Sequence, residues 1–276
     1  NIKDLKVMKI EKQTRKAHYY NEGRYVILQT YYMVMDGATP LQKNGILPSE
    51  ASWFVSFIKN QLKPTEQNVV EKLNFIAREA YCEFNRLTHT VNPDYYPSAG
   101  LAWVEIKDRK IICHTIGDCE ILLKYKDGTL KRLLLKDLPE LDQQALKEMK
   151  EIAKEKNISV LDAKKYITDT LIRNRKKMNQ KGGYAIYTLS PDPYYDYLTF
   201  EEDQDLLEEI YLYTDGIALA FEELKIYTSW QEMFKKSLNL AQEFKDIVAK
   251  AKQDPLCNLY PRFKVLDDMT MIKITL

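Results

Sequence analysis

Tyr25-Val26-Ile27-Leu28-Gln29-Thr30-Tyr31-Tyr32-Met33-Val34-Met35-Asp36-Gly37 is the stretch on which the fold turns. Residues 25–35 are mostly apolar, β-branched or aromatic, the composition of a buried strand, and the run stops on an acidic residue followed by glycine. Downstream, residues 48–62 read as a helix. A second helix is expected from Pro64, with Thr65 and Glu66 suiting its start. It carries Val69, Leu73, Ile76, Ala80, Phe84 and Leu87 at helical spacing.

Strand patterns then return at residues 101–106 and 111–116, around a polar turn at 107–110, and again at 121–125. Asp127-Gly128 separates the last of these from residues 130–135, a strong hairpin signal. A charged helical block covers residues 141–178 and ends at Gly182-Gly183. Strands are expected at 184–189 and 209–214, a long helix at 230–252 and a last strand at 269–276. There is no internal repeat, and the order suggests sheets covered by helices without regular βαβ alternation.

Composition narrows the function classes. The chain has 276 residues, 45% hydrophobic and 29% charged, enough for a large core. A net charge of +1 makes no electrostatic case for nucleic acid or an acidic membrane surface. No apolar run reaches the roughly 18 residues of a membrane span, and no basic-then-apolar leader opens the chain. Cys82, Cys113, Cys119 and Cys257 are scattered, which argues against a disulfide framework or a zinc site and for a reducing cytoplasm. The Lys-, Ile- and Tyr-rich composition is in keeping with a bacterial origin.

Familiar catalytic motifs are missing. There is no G-x-S-x-G elbow, no G-x-G-x-x-G turn and no G-K-[ST] loop. His18, His89 and His114 lack H-E-x-x-H spacing, and Cys113 is followed after five residues by Cys119 where a cysteine phosphatase needs Arg. Carboxylates remain. Asp36, Asp118, Asp215 and Asp267 each adjoin an apolar strand pattern, where a rigid backbone can project a side chain into a cleft. Hard oxygen ligands of this kind suit Mg²⁺ or Mn²⁺.

Most Asp-Gly pairs are only turns, and Asp127-Gly128 serves as an internal control because a matched strand follows it at once. Asp36-Gly37 is followed by Ala38-Thr39-Pro40-Leu41 and Asp215-Gly216 by Ile217-Ala218-Leu219-Ala220-Phe221, neither of which continues as a matched strand. Those two aspartates need another reason to be there.

Five segments, in order, resemble the motifs of the metal-dependent serine/threonine phosphatases of type 2C (the PPM class). Asn21-Glu22-Gly23 resembles the family's N-E-D, and Val34-Met35-Asp36-Gly37 its strand-then-D-G. Thr115-Ile116-Gly117-Asp118-Cys119 resembles G-D-S, Tyr213-Thr214-Asp215-Gly216 resembles S/T-D-G, and Leu266-Asp267-Asp268-Met269-Thr270 resembles D-D/N-x-T. The resemblance implies a four-layer α-β-β-α sandwich: an α+β fold of two mainly antiparallel sheets flanked by helices. It implies one phosphatase domain over residues 1–276, with a variable helical or flap insertion around 140–185.

The resemblance also implies the chemistry. Asp36 would bridge two metals, Mn²⁺ or Mg²⁺; Asp215 and Asp267 would complete one site, Glu22 and the Gly37 carbonyl the other. Asp118 would join Asp215 at a third, weaker site. Two such cations, about 3.5–4 Å apart, lower the pKa of a bridging water for in-line attack on phosphorus, with Asp36 and Asp215 central to catalysis. Without cations, each carboxylate pair at ~4 Å and an effective dielectric of ~20 would repel by about 4 kcal/mol. The expected substrate is a phosphoserine or phosphothreonine protein, the expected state a cytoplasmic monomer, with neither nucleic acid nor membrane as partner.

Several positions depart from the family pattern. His18 stands where the family has a phosphate-gripping Arg, a role that His18, Arg15, Lys16 or Arg24 could take over. Gly23 replaces the second acidic residue, and Ala38 stands where eukaryotic members carry a His proton donor. Ser98-Ala99-Gly100 loosely resembles the family's small-residue motif. These departures motivate an alternative, a catalytically weak metal-binding pseudophosphatase that acts as a phosphoprotein-binding or regulatory module. Asp268 reads as a solvated neighbour of the metal ligands, residues 173–177 as a solvated helix end, and Tyr95-Tyr96 or Tyr194-Tyr195 as an option for lining a cleft.

Overall fold

The computed structural model of the chain describes residues 8–64 and 68–276. In chain order, β1 (Lys9–Arg15), β2 (Gly23–Ile27) and β3 (Tyr31–Ala38) lead into α1 (Glu50–Gln61) and α2 (Val69–Thr88). Then come β4 (Ser98–Lys107), β5 (Lys110–Ile116), β6 (Glu120–Tyr125) and β7 (Leu130–Leu133). Three helices follow: α3 (Asp137–Lys156), α4 (Val160–Ala163) and α5 (Thr168–Arg175). The chain continues through β8 (Tyr187–Thr188), β9 (Leu198–Asp203), β10 (Leu207–Tyr213), α6 (Asp215–Ala218), α7 (Trp230–Phe234), α8 (Leu240–Lys252) and β11 (Met269–Thr275).

Two antiparallel sheets result. One runs β1-β11-β10-β6-β7; the other runs β2-β3-β4-β5-β9, with β8 paired to the start of β4. Alternation along β3 explains its unbroken apolar pattern. Tyr32 and Val34 face the space between the sheets, with Val104, Ile121, Leu212 and Ile272. Met33 and Met35 face the other way, against Phe54 and Ile58 of α1 and Leu73 and Ile76 of α2. Burying each such side chain contributes roughly 1.5–3 kcal/mol. Behind the other sheet, Tyr211, Tyr213 and Met271 pack on Phe234 of α7 and Phe244 and Ile247 of α8. The architecture is therefore helix, sheet, sheet, helix, the expected α+β sandwich. Helices α3 and α4 gather a smaller cluster of Ala145, Met149, Ala153 and Ala163 with Cys257.

The opening run is not one strand. At residues 28–30 the chain reverses, the Leu28 N–H donating to the Tyr31 carbonyl at 3.0 Å, and β2 pairs antiparallel with β3. Gln29 and Thr30, both exposed, mark the turn. Strand β3 also continues through Asp36 and Gly37 to Ala38, so that acidic residue lies within a strand. The helix at residues 48–62 begins at Glu50, where the Ser49 hydroxyl accepts the Ser52 N–H at 3.0 Å. The next helix begins at Val69, with Asn68 as its cap; the expected start at Thr65 and Glu66 lies outside the described residues.

The charged block at 141–178 is three helices, and the span 230–252 is two, broken between Phe234 and Leu240. Only Tyr187–Thr188 of the expected strand at 184–189 pairs in the sheet. Edge strands β1 and β9 were not anticipated. Their sequences, KIEKQTR and LTFEED, bury too little for an apolar pattern to show. Asp127-Gly128 does form the hairpin between β6 and β7, with Gly128 at φ +86°. Among the described residues no helix is long and apolar enough to cross a membrane.

Candidate metal centre

The four aspartates converge at one end of the sandwich, on a cleft of about 670 Å³. Asp36 projects from β3, opposite Gly23 on β2 and Gly100 on β4. Asp118 sits in the turn that carries the chain from β5 in one sheet to β6 in the other. That turn depends on glycine. Gly117 has φ +74°, and a Cβ there would lie 2.9 Å from the Gly100 Cα. A Cβ on Gly100 would in turn lie 2.7 Å from Asp118 Oδ1, so the small residue at 100 lets the carboxylate in.

Asp215 is the first residue of α6, just past β10, and Asp267 precedes β11. Those two segments are tied together. The Thr214 N–H donates to the Thr270 carbonyl at 3.1 Å, and the Thr270 N–H to the Thr214 hydroxyl at 3.1 Å.

Carboxylate oxygens of Asp36, Asp118 and Asp215 lie within 4.8 Å of one another. Burial, then the charges of Asp215, Asp267 and Asp118, pushes the Asp36 carboxyl well above the usual carboxylate range. Asp215 is pushed up in the same way, by burial and then by Asp118 and Asp267. Asp118 is raised to about 7 by burial, Asp142 and Asp267. One oxygen, Asp215 Oδ1, is buried with no hydrogen-bond partner. Three crowded carboxylates and an orphaned oxygen form a donor set of hard oxygens that fits a divalent cation.

Glu22 lines the same cleft, held from several sides. Its Oε1 accepts from the Ser49 hydroxyl at 2.9 Å and the Thr39 hydroxyl at 3.4 Å. Its backbone carbonyl accepts the Gly37 N–H at 2.9 Å. Asp268 supplies the rest. This residue is buried, not solvated: its carboxylate accepts the Ala17 N–H at 2.6 Å and the Glu22 N–H at 2.9 Å. It orients the Glu22 segment and does not line the cleft.

A family profile for protein phosphatase 2C matches residues 28–253. The chain belongs to the protein phosphatase 2C family. The matched span includes Asp36, Asp118 and Asp215, while Glu22 and Asp267 flank it. Solved structures agree on the fold. The serine/threonine phosphatase Stp1 from Staphylococcus aureus superposes with a TM-score of 0.54 at 11% identity, covering 98% of this chain and 95% of that one. PppA, a regulatory component of the type VI secretion system in Pseudomonas aeruginosa, gives 0.56 at 10%, with 97% of each chain covered. The catalytic domain of the phosphatase PstP, solved with two manganese ions, gives 0.54 at 12%, again with 97% of each covered. No curated protein sequence matches the chain.

None of the cations expected at the cleft from the sequence, Arg15, Lys16, His18 and Arg24, lines it. His18 and Arg15 are exposed on the segment before Glu22, and neither lines the cleft. Arg24 is committed elsewhere. Its guanidinium donates to the Asn21 and Gly23 carbonyls and, at 3.2 Å each, to the hydroxyls of Ser52 and Ser56 on α1. The cations that do line the cleft are Lys43 and Lys264. Lys264 Nζ bonds Asp267 Oδ1 at 3.1 Å; burial works against its charge, but Asp267, Asp215 and Asp36 outweigh that and push its pKa up.

Neither lysine carries a local motif, and nothing in the sequence pointed to them. The same holds for Asp142 on α3, whose carboxyl is raised to about 7 by burial and by Asp215. Arg175, expected in a solvated helix end, is partly buried with its guanidinium 3.4 Å from the Ala38 and Thr39 carbonyls. Tyr194 is exposed, Tyr95 half-buried and Tyr96 and Tyr195 buried in the core, and none lines the cleft. Gly23 has a steric reason: a Cβ there would meet the Thr270 hydroxyl at 2.5 Å, so the family's acidic side chain does not fit without movement.

Proposed function

We propose that this 2C-family protein is a metal-dependent phosphomonoesterase acting on phosphoserine or phosphothreonine in proteins. The observation that carries this reading is the Asp36-Asp118-Asp215 cluster, three carboxylates within 4.8 Å with one oxygen left unpartnered. Asp36 would hold both of two Mn²⁺ or Mg²⁺ ions, with Asp215 and Asp267 on one and Glu22 and the Gly37 carbonyl on the other. Asp118 and Asp215 would hold a third, weaker ion. When bound, such ions make a water acidic enough to attack at neutral pH and offset charge on the phosphoryl oxygens.

The chain's own residues do the rest. Ser49 and Thr39 hold the Glu22 carboxylate, and Asp268 fixes the backbone that presents it. Lys43 and Lys264 place positive charge along the cleft, where a phosphate monoester brings negative charge. Water attacks phosphorus in line and the P–O bond to the seryl or threonyl oxygen breaks. The proton lost by the water balances the one the leaving alkoxide gains. Ala38 has no proton to donate, so the leaving group takes its proton from water or from another group at the cleft.

The test is hydrolysis of p-nitrophenyl phosphate and a phosphothreonine peptide with Mn²⁺, with EDTA, and with Asp215→Asn. Turnover that requires Mn²⁺ and falls at least a hundredfold in the variant is the expected result. Metal binding without turnover would convert the reading to a phosphoprotein-binding module. Neither binding nor turnover would end the site assignment.

A further inference from the structure

A second hollow, of about 520 Å³, lies beside the cleft. The two share Tyr20 and Pro48 as walls, and the segment Asn21-Glu22-Gly23 forms the ridge between them. Ser49, the cap of α1, faces the cleft, and Ser52 in its first turn faces the hollow. The hollow's charged lining is entirely positive: Lys16, Arg24 and Lys59, with no Asp or Glu. Among the described residues none of these three takes part in an ion pair.

Such an arrangement carries a cost. Burial first, and then the neighbouring charges of Arg24 and Lys12, push the Lys59 ammonium below its ordinary pKa. Lys59 Nζ sits 5.0 Å from the centre of the Tyr25 ring, which offers a weakly favourable face and no negative charge. Arg24 is fixed by its four oxygen partners, none of them a carboxylate, although the charges of Asp268 and Glu22, which lie outside the hollow's lining, also act on it. A carboxylate or phosphate entering the hollow would meet two ammonium groups beside the Arg24 charge, most of whose donors are already used, and would relieve the repulsion among the cations. Tyr19, 87% exposed, stands at the lip.

We propose that this hollow is a second anion subsite for the peptide substrate, taking an anionic side chain close in sequence to the phosphoresidue held in the cleft. The proposal rests on the phosphatase reading above. On an extended peptide, side chains two residues apart point the same way, about 6.5–7 Å apart, and adjoining hollows that share a wall suit that spacing. The anion can be a carboxylate of Asp or Glu or a second phosphate; both present the same charged oxygens.

The experiment uses labelled phosphothreonine peptides that differ at one position, two or three residues to either side of the phosphothreonine, as Gln, Glu or phosphoserine. Steady-state hydrolysis with Mn²⁺ and fluorescence anisotropy in EDTA are read for each. At one of those positions, Glu or phosphoserine is expected to lower KM and tighten binding about fivefold relative to Gln, with kcat unchanged. Comparing Glu with phosphoserine identifies which anion is preferred. In Lys59→Gln the preference falls below twofold, Lys59→Arg restores it, and added salt weakens it.

Wild-type protein that hydrolyses all the peptides but makes no distinction among them would overturn the subsite and leave the phosphatase reading standing. A preference that survives unchanged in a Lys16→Gln, Lys59→Gln double variant would overturn it too. If no substrate is hydrolysed, p-nitrophenyl phosphate included, yet the anisotropy preference is present and lost in Lys59→Gln, the phosphatase reading falls and the anion subsite stands. Absence of any preference by anisotropy as well would remove both.

Discussion

Asp254 and Asp215 are both aspartates withdrawn from solvent, and the molecule treats them in opposite ways. Asp254, 4% exposed, accepts the N–H groups of Asn258, Leu259 and Tyr260 and is paired at 3.0 Å with Arg262, itself buried. Burial alone would raise its pKa, but those bonds and the guanidinium hold it below the usual value. Asp215 has Asp36 and Asp118 for neighbours, an oxygen with no partner, and a pKa pushed up by burial and like charge. One carboxylate is satisfied within the chain, which is what structure requires. The other keeps an unpartnered oxygen among like charges that the nearby Lys264 offsets only in part, and that difference marks Asp215 as the candidate functional carboxylate.

The comparison can be broken first at Arg262. Replacing it by Leu removes the charged partner of Asp254 and the guanidinium donors to the carbonyls of Tyr260 and Val265. Urea unfolding is expected to register a loss of about 3–5 kcal/mol. A cost below 1 kcal/mol would mean that Asp254 is not internally satisfied in the way the geometry indicates.

Next is the metal. At a concentration 100 times its Kd, Mn²⁺ should add about 2.7 kcal/mol of stability, which calorimetry reads as a rise of several degrees in Tm. Asp215→Asn should erase that shift, and a modest Arg262 variant such as Arg262→Lys should keep it. No shift in the wild type at millimolar Mn²⁺ would remove the distinction between the two aspartates.

pH separates the regions further, in metal-free protein. Asp118 and Asp142 have folded values of about 7, above those of the unfolded chain. Their contribution to stability is full below the unfolded carboxylate pKa and is lost as pH rises through about 7. Asp254 has the opposite sign: its depressed pKa contributes stability above the unfolded value, lost only as pH falls through the folded one. Between pH 5 and 8 the Tm of the metal-free protein should therefore fall with rising pH, and saturating Mn²⁺ should flatten the slope. A rising Tm over that range in EDTA would contradict the crowded cluster.

The smallest expected effect comes from Asp142→Asn. Removing that charge relieves Asp118 and leaves the carboxylates of Asp36, Asp118 and Asp215 in place. Metal-free protein should gain less than about 1 kcal/mol at pH 7.5. Its pH slope should be shallower than wild type.

Much of this was legible in the sequence, for identifiable reasons. Strand β3 is buried on both faces, so Tyr32 and Val34 on one side and Met33 and Met35 on the other write a continuous apolar run. The hairpin at Asp127-Gly128 is local chemistry, a turn readable from two residues. The aspartates at 36, 118, 215 and 267 stood out because each adjoins such a strand. What stayed hidden involved partners far away in the chain. Strands β1 and β9 hold their places through pairing with β11 and β5, not through their own composition. The break within residues 25–35 rests on two polar residues inside an otherwise apolar run.

By itself the sequence determined the buried strands, the helices and a set of strand-edge aspartates with hard oxygen donors, because periodicity and turn residues act over short stretches of chain. The α+β layering came through the resemblance to the type 2C family. Only the tertiary structure decided which groups surround the carboxylates. It placed Lys43 and Lys264 in the cleft, His18 and Arg15 outside it, Arg24 in a separate hollow and Asp268 behind Glu22. The reason is physical: burial and the Coulomb interactions that set a charge's role depend on distances between segments far apart in the chain, 251 residues in the case of Ala17 and Asp268. Those distances exist only once the two sheets have closed on each other.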